Sequence, residues 1–331
     1  MIKSSAPTRI DLAGGTLDIW PLYLFFDNPP TLNAAINLYA RVEVAFRKDK
    51  QIVIESRDQN IRARFRSLAA SPDRHPLGLI LRTLKFYRPE RGVTVTTHCE
   101  APQGSGIGGS SALNIALHGA FNTLVGNRYP RSALIEIAKN IETQVIGVPA
   151  GIQDYYPALY GGVRIVQPGY AGVETQGIAI DTDELTRRFV LCYTGKPRNS
   201  GINNWDVTKK AIDGDKKVRA NLEKIKQVAS KMQQALESGR LNKIGNLLGE
   251  EWQARKALAP RISTAQMDRM IAAAKRKGAV AGKVCGAGGG GCVAFYVNKN
   301  QKPQVMNTLT ENGGQVLDFC FVKRGLRVEK S

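Results

Sequence analysis

The sequence predicts an α+β protein of two domains, on three observations. Chains of 331 residues commonly divide into two domains. Runs of alternating polar and apolar residues, such as 9–13, predict half-buried strands, whereas apolar residues at helical spacing, as over 218–236, predict helices. The pattern loosens over 168–184, where glycine and acidic residues cluster. We therefore expect an N-terminal domain over 1–176 and a C-terminal domain over 177–331.

The individual elements follow from the same two periodicities. Apolar runs and alternation predict strands at 9–13, 40–46, 51–56, 93–97, 163–166, 187–193, 293–297, 315–322 and 325–328. One-sided apolar spacing predicts helices at 76–87, 113–124, 131–145, 218–236, 241–258 and about 265–277. The stretch Ser263-Thr264-Ala265-Gln266 reads as a capping box that opens the last of these helices. The two final strands are expected to complete the C-terminal domain.

A loop rich in glycine and serine lies between the predicted strand 93–97 and the predicted helix 113–124. Glycine allows the backbone to approach a ligand closely, and the free N–H groups at a helix start attract anions. The order of strand, loop and helix therefore favours a phosphate-binding loop over a glycine turn without a ligand. Its candidate binding residues are Pro102, Gly104, Ser105, Gly106, Ile107, Gly108, Gly109, Ser110 and Ser111.

Two familiar nucleotide motifs do not describe this loop. No Gly-Lys-Ser/Thr follows the glycines, so it is not a Walker A loop. Gly104, Gly106 and Gly109 have the G-x-G-x-x-G spacing, but the acidic residue that a dinucleotide fingerprint needs about 20 positions later is missing.

Two acidic residues follow the loop. Glu142 lies at the edge of the apolar face of the predicted helix 131–145, and Asp154 lies on a loop rich in glycine and aromatic residues. Mg²⁺ in nucleotide sites is held by one or two carboxylates together with substrate phosphates. The pair therefore suits nucleotide–Mg²⁺ chemistry, although either acid alone would more often be structural.

Two further glycine stretches are candidates for ligand contact. Gly14 and Gly15 favour a turn, which leaves Thr16 and Asp18 on a loop where they can meet the hydroxyls of a ligand or face solvent. Five of the six residues over 286–291 are glycine, directly before a predicted strand. That density favours a rigid turn at a close backbone approach over a flexible linker.

Bulk properties exclude several classes of protein. The net charge of +19 implies attraction to anions such as nucleotides, phosphorylated metabolites, nucleic acid or acidic lipid. The five cysteines contain no C-x-x-C pair, which argues against a disulfide framework and a zinc site. The N-terminus lacks a signal sequence, and the longest apolar run is far shorter than a membrane span of about 20 residues. We expect a soluble, cytoplasmic protein.

Three stretches in this order resemble the GHMP kinase family, named for galacto-, homoserine, mevalonate and phosphomevalonate kinases. The segment 6–18 has the form A-P-x-R-I-x-x-A-G-G of the heptose kinase and fucokinase branch. The segment 102–112 is similar to the second motif, P-x-x-x-G-L-G-x-S-S-A, and 283–292 to the third, K-x-x-G-A-G-G-G-G. The resemblance implies a two-domain fold: an N-terminal domain like the second domain of ribosomal protein S5, a ferredoxin-like C-terminal domain and a cleft between them.

The resemblance also implies ATP, Mg²⁺ and roles for individual residues. The backbone over 104–111 would wrap the ATP phosphates, and Ser111, with Ser110 as the alternative, would hold Mg²⁺ together with Glu142. Asp154 would be the base or orienter for the acceptor hydroxyl, with Arg9 beside it. The substrate-binding positions would be Thr16, Asp18, Gly286, Ala287, Gly288 and Gly289.

The acceptor is the open question at this stage. The leading hypothesis is a sugar kinase acting at the anomeric hydroxyl, and the high positive charge suggests an anionic acceptor held by Lys196, Arg198 or Arg261. Tyr155 stands where the sugar-kinase branch often has Gln, and the spacing around Gly14 also departs from that branch. The alternatives are a kinase for a non-sugar alcohol such as mevalonate, a kinase-like protein without catalysis, and a basic RNA-binding protein. An RNA-binding protein is disfavoured, because basic and aromatic residues are not interleaved as in a nucleic-acid platform.

Overall fold

The computed structural model describes residues 1–197 and 200–330, without the side chains of 200–203. In this part the chain forms twelve strands: β1 (Ile2–Ala13), β2 (Thr31–Phe46), β3 (Ile52–Ser56), β4 (Ile61–Phe65), β5 (Val93–Cys99), β6 (Val163–Gly169), β7 (Gly172–Ile178), β8 (Phe189–Tyr193), β9 (Ala279–Val284), β10 (Cys292–Val297), β11 (Gln315–Leu317) and β12 (Arg327–Lys330). The α-helices of the same part are α1 (Leu22–Phe25), α2 (Gly78–Tyr87), α3 (Gly109–Leu124), α4 (Ala133–Ile146), α5 (Tyr155–Tyr160), α6 (Thr182–Arg187), α7 (Ser200–Ile212), α8 (Lys216–Glu237), α9 (Leu241–Lys256), α10 (Ala265–Arg276) and α11 (Lys302–Glu311).

The larger sheet belongs mainly to the N-terminal half. Its strand order is β12-β1-β2-β5-β3-β4, and the hairpin β6–β7 pairs with the first part of β2. The pairing of β3 with β5 is parallel, whereas β1, β2 and β6 pair antiparallel. Helix α3 packs on β1 and β2 and is covered by α2, α4 and α5, and this arrangement buries one apolar core.

The smaller sheet has the order β11-β8-β10-β9 and is antiparallel. Helices α9, α10 and α11 pack on its strands, while α8 and α9 also contact β1 of the larger sheet. A second apolar core therefore includes side chains from both sheets, such as Ile10 and Ala294. This shared core fixes the two halves against each other beside the functional cleft.

Most predicted elements agree with the structure, and the main error concerns the C-terminus. We predicted that the last two strands would complete the C-terminal domain, but β12 pairs with β1 in the larger sheet. Residues beyond β11 also cross to that sheet, because the Cys320 N–H donates to Asn37 Oδ1 at 2.7 Å and the Val322 N–H to the Ala35 carbonyl at 2.9 Å. A strand edge has unpaired backbone groups, and the returning chain satisfies those of β1.

Three smaller differences concern the start of a strand, the proposed domain boundary and a helix cap. Arg187 lies in α6, so the predicted strand 187–193 begins at Phe189. The proposed boundary between 176 and 177 falls within β7, which continues to Ile178. Helix α10 is capped by Thr264, whose hydroxyl accepts from the Met267 N–H, and the Ser263 hydroxyl donates to Asp268 instead. The N-cap is therefore one residue later than predicted, and Met267 at N3 has no side chain that could complete a capping box.

Candidate active site

A cavity of about 440 Å³ lies between the glycine loop, the turn after β1 and the end of α4. The predicted site residues at its wall are Arg9, Thr16, Asp18, Pro102, Gly104, Ser105, Gly106, Gly108, Gly109, Ser110, Ser111, Glu142, Asp154, Gly286 and Ala287. Ile107 does not line the cavity, since its side chain is fully buried in the core and its carbonyl accepts from the Arg9 N–H. Most of the predicted site residues, from the three motifs and from Glu142 and Asp154, thus lie at one cavity.

The glycine loop has the strand, loop and helix order that its sequence predicted. Gly104, Gly106 and Gly108 have φ angles of 66°, 80° and 76°, in the left-handed region where glycine is unstrained. Gly108 is the N-cap of α3, with no side chain that caps the helix and no acidic residue in the first turn. The N–H groups at the start of this 16-residue helix are therefore suited to bind an anion in the cavity.

The second glycine cluster is a rigid turn packed against the glycine loop. The Cys292 N–H donates to the Ser105 carbonyl at 2.7 Å, and a Cβ on Gly291 would lie 2.5 Å from that same oxygen. A Cβ on Gly288 would lie 2.3 Å from the Ile262 carbonyl oxygen. The close backbone approach predicted for this cluster is therefore confirmed. Gly288 and Gly289 contact Ile262 and are absent from the cavity wall.

Arg9 joins the glycine loop to Asp154. Its Nε donates to Asp154 Oδ1 at 2.8 Å and its Nη1 donates to the Gly106 carbonyl at 2.8 Å. The Arg9 side chain is 2 % exposed and that of Asp154 is 22 % exposed. Arg9 is thus committed to protein partners, while the carboxylate that it holds retains a surface toward the cavity.

Glu142 of α4 faces the start of α3. One carboxylate oxygen accepts a short hydrogen bond from the Ser110 hydroxyl, and the other accepts from Ser111 at 3.4 Å and from the Tyr155 hydroxyl at 2.5 Å. Burial raises the pKa of Glu142, and the hydrogen bonds from Ser110 and Tyr155 oppose that change. Tyr155 stands where the sugar-kinase branch often has Gln. Its hydroxyl donates a hydrogen bond to the Glu142 carboxylate.

The donor set around Glu142 fits a magnesium ion that is also bound by phosphates. Among the side chains that the structure describes, no cluster of three or more His, Cys, Asp or Glu residues could hold a metal ion. Mg²⁺ at a nucleotide, however, needs only one or two protein oxygens, and it keeps water and phosphate as its other ligands. The Ser111 hydroxyl and the Glu142 carboxylate provide oxygens of that kind at the cavity wall.

Thr16 and Asp18 occupy the turn after β1 with different freedom to bind a ligand. The Thr16 hydroxyl accepts from Arg255 Nη1 at 3.0 Å and lies 3.5 Å from Asn204 Oδ1, so protein groups already occupy it. Asp18 Oδ2 accepts the N–H groups of Ile152 and Gln153 at 2.7 and 3.0 Å. Burial raises the pKa of Asp18 to about 6. The hydrogen bond from the Gln153 N–H opposes this increase.

A buried network of four charged side chains was missed by the sequence analysis. Lys283 Nζ donates to Asp11 Oδ2 at 2.7 Å and lies 3.6 Å from Glu251 Oε2, and Glu251 also pairs with Arg255. Arg255 in turn donates to the Gly15 carbonyl at 2.8 Å. All four residues are at most 2 % exposed. The network ties α9 and β9 to the turn that holds Thr16 and Asp18. The signals in the sequence were the lysine that begins the third motif and an acid and a base four residues apart on a helix.

The basic residues suggested for an anionic acceptor lie outside the cavity wall. Lys196 and Arg261 are exposed and neither lines the cavity, while Arg198 is outside the described residues. Arg9 and Arg255, which do line it, are both paired with carboxylates.

Comparison with known proteins agrees with the arrangement of these motifs. Residues 78–162 match the family model of the GHMP kinases N-terminal domain, and residues 232–315 match that of the C-terminal domain. A D-glycero-alpha-D-manno-heptose 7-phosphate kinase of Campylobacter jejuni is 30% identical over 98% of this chain and 98% of its own length. The chain belongs to the GHMP kinase family. It is therefore a kinase, a phosphotransferase that uses ATP and an alcohol acceptor.

Two further relatives have similar coverage. A mevalonate kinase of Thermococcus gammatolerans is 25% identical to this kinase over 99% of the chain and 98% of its own length. The crystal structure of a D-glycero-D-manno-heptose 1-phosphate kinase from Bacteroides thetaiotaomicron superposes with a TM-score of 0.79 at 27% identity, and it covers 100% of this chain and 99% of the other. The predicted two-domain kinase fold is confirmed.

No helix within the described residues is long and apolar enough to cross a membrane.

Proposed function

We propose that this kinase transfers the γ-phosphate of ATP to a hydroxyl group of a sugar phosphate, with a heptose phosphate as the leading acceptor. The observation that carries the proposal is the Asp154 carboxylate at the cavity wall, held by Arg9 beside the glycine loop. The similarity to a heptose 7-phosphate kinase over nearly the whole chain supports this class of acceptor. Such a reaction takes place where ATP is available, and we propose the cytoplasm.

The ATP phosphates would lie along the glycine loop and the start of α3. Left-handed glycines of the loop line the cavity, and α3 provides free N–H groups. The adenine base would contact apolar side chains of the cavity lining, such as Leu79, Val145 and Ile146. This orientation directs the γ-phosphate toward Asp154.

Ser111 and Glu142 would hold Mg²⁺, with Ser110 as the alternative hydroxyl. The ion would supply charge neutralisation on the transferred phosphoryl group. Tyr155 would orient the Glu142 carboxylate through its hydroxyl. Binding of the ion would replace the present hydrogen bonds from the serines to Glu142, and it would favour the ionised carboxylate.

Asp154 would act on the acceptor hydroxyl. The hydroxyl oxygen forms a bond to the γ-phosphorus, the bond between that phosphorus and the oxygen bridging to the β-phosphate breaks, and ADP leaves. Asp154 orients the hydroxyl and takes its proton as the bond forms. The Arg9 side chain, which is 2 % exposed, fixes the position of this carboxylate through its hydrogen bond. Asp18, Gly286 and Ala287 would contact the acceptor, with the anomeric hydroxyl as the proposed site of transfer.

An acceptor screen tests the proposal. Purified protein is incubated with ATP, Mg²⁺ and a single acceptor, and ADP release is measured for heptose 7-phosphate, fucose, galactose and mevalonate. We expect the highest kcat/KM with a sugar acceptor, and phosphorus NMR of the product would identify the hydroxyl. The similarity to mevalonate kinases makes mevalonate the second candidate. Turnover of mevalonate without turnover of any sugar would contradict the proposal. Salt-sensitive RNA binding without transfer would instead support the RNA-binding alternative.

A further inference from the structure

Two side-chain oxygens at the acceptor end of the cavity have no hydrogen-bond donor. They are Asp18 Oδ1 and Gln153 Oε1, in residues that are 1 % and 7 % exposed. Within the described residues, several other buried polar atoms also lack a partner, but Asp18 and Gln153 alone among them line the cavity. The unsatisfied acceptors of the wall are therefore confined to these two residues, which flank Asp154.

The surrounding backbone holds the two side chains together. Asp18 Oδ2 accepts the N–H of Gln153 itself at 3.0 Å, so the two residues are directly linked. The Gln153 amide lies across Gly15, where an added Cβ would be 2.8 Å from Nε2. Because the last torsion of a glutamine side chain is broad, the amide can turn its oxygen into the cavity without moving the backbone.

A buried acceptor without a donor costs free energy, and native structures seldom retain one without a reason. No protein group donates to either oxygen, and both are buried. A ligand that presents hydrogen-bond donors beside the proposed base would satisfy both oxygens. Hydroxyl groups of the acceptor are the donors that the proposed reaction brings there.

We propose that Gln153 determines acceptor specificity, by forming with Asp18 a pair of oxygens that accept hydrogen bonds from hydroxyls of the acceptor other than the one that is phosphorylated. This inference rests on the proposed function and narrows its substrate class. The end of the acceptor beside Asp154 is a neutral polyol, and any phosphate group lies at its far end. A carboxylate, such as that of mevalonate, has no donor for Asp18 Oδ1 and would leave that oxygen unsatisfied.

The experiment combines a substitution with monodeoxy acceptors. Gln153→Met keeps the length of the side chain and removes its hydrogen bonds. With D-glycero-D-manno-heptose 7-phosphate we expect kcat/KM to fall roughly tenfold to a hundredfold, while KM for ATP stays unchanged. For the monodeoxy analogue that lacks the hydroxyl facing Gln153, the same substitution should cause almost no further loss. Gln176→Met on the exposed surface of β7 is the matched control.

The outcomes separate this inference from the proposed function. An equal loss for the heptose phosphate and for every deoxy analogue would mean that Gln153 acts only on the structure, and it would overturn the inference while leaving the sugar kinase intact. Turnover of mevalonate and of no sugar would overturn both. If Gln153→Met does not fold, Gln153→Glu serves in its place, because it keeps an acceptor oxygen. It should retain discrimination against the same deoxy analogue, and loss of that discrimination would again contradict the inference.

Discussion

Arg9 and Asp154 lie 145 positions apart in sequence, yet Arg9 Nε donates to Asp154 Oδ1 at 2.8 Å. The same guanidinium holds the Gly106 carbonyl. One buried side chain therefore sets the position of the proposed base relative to the loop that would carry the phosphates. Because phosphoryl transfer depends on positioning and charge more than on covalent participation of the protein, this link is central to the proposed reaction.

Asp154→Asn should separate binding from turnover. The amide oxygen can still accept from Arg9, so the loop geometry and ATP binding are retained. The proton acceptor is lost, and we expect kcat to fall roughly 10²- to 10⁴-fold. The measurement is kcat with the best acceptor, together with the Kd for ATP from calorimetry. Asp73→Asn, at a carboxylate that is 87% exposed and paired with Lys85, is the control and should leave both values unchanged. Unaltered turnover in Asp154→Asn would remove this residue from the chemistry.

The stability of the protein should carry a pH dependence from Asp18. Burial raises the pKa of this carboxyl from 3.8 to about 6, so the folded state binds the proton more tightly than the unfolded state. Its stabilising contribution is complete below about pH 4 and is lost as the pH rises through about 6. The shift of about two pKa units corresponds to about 3 kcal/mol.

Asp18→Asn tests that dependence because the amide does not titrate. Urea unfolding of both proteins at pH 4 and pH 8 gives the difference in unfolding free energy. We expect this difference to change by about 3 kcal/mol in favour of the variant at pH 8. The variant should also have a higher KM for the acceptor. A difference that is independent of pH would show that burial does not hold a proton on Asp18.

The close backbone approach at single glycines could be predicted from the sequence, whereas the pairing of the buried charged side chains could not. Glycine density alone indicated a close approach, and Gly291 does lie against the Ser105 carbonyl. The pairing of Lys283 with Asp11, by contrast, joins residues that are 272 positions apart. The spacing of Glu251 and Arg255 is that of an ordinary surface ion pair on a helix. Only the packing of α9 between the two sheets makes the pair buried, and one sequence carries no pattern for that packing.

The error at the C-terminus has a similar cause. The segment 325–328 has the composition of a strand, and periodicity identified it as one. Which sheet it joins depends on the edge that is free, and β1 offers Ile2–Ser5 as that edge. Strand pairing of this kind links the two ends of the chain, so it cannot be read from a local pattern.

Substitution of Glu142 should change the Mg²⁺ requirement. In Glu142→Gln the amide provides a weaker ligand, and we expect the half-saturating Mg²⁺ concentration at saturating ATP to rise about tenfold or more. Glu136→Gln on the same helix is the matched control, since Glu136 is 63% exposed and pairs with Lys139. Ser111→Ala should raise the Mg²⁺ requirement more than Ser110→Ala. The reverse order would assign the proposed metal contact to Ser110, and an unchanged requirement in Glu142→Gln would exclude this carboxylate.

Lys283→Met should show how strongly the buried ion network supports the fold. Burial by itself would raise the pKa of Asp11, but the charge of Lys283, followed by those of Arg9 and Arg255, lowers it from 3.8 to about 2. The stabilising contribution of Asp11 is therefore present above about pH 4 and lost as the pH falls toward 2. Removal of the lysine leaves the buried Asp11 carboxylate without its direct ion pair, while Glu251 keeps Arg255 as its partner. We expect the unfolding free energy at pH 7 to fall by about 3–5 kcal/mol.

The pH and a second substitution distinguish lost charge from lost packing. In Lys283→Met the uncompensated carboxyl takes up a proton more readily, so the difference from wild type should shrink as the pH falls from 7 to 4. Addition of Asp11→Asn to Lys283→Met should recover part of the stability, because it removes the unpaired charge. Lys226→Met, at a pair with Asp27 whose carboxylate is 88% exposed, should cost at most about 1 kcal/mol. A loss in Lys283→Met that is independent of pH, and that Asp11→Asn does not reduce, would mean that the lysine stem stabilises the fold by packing and not by its charge.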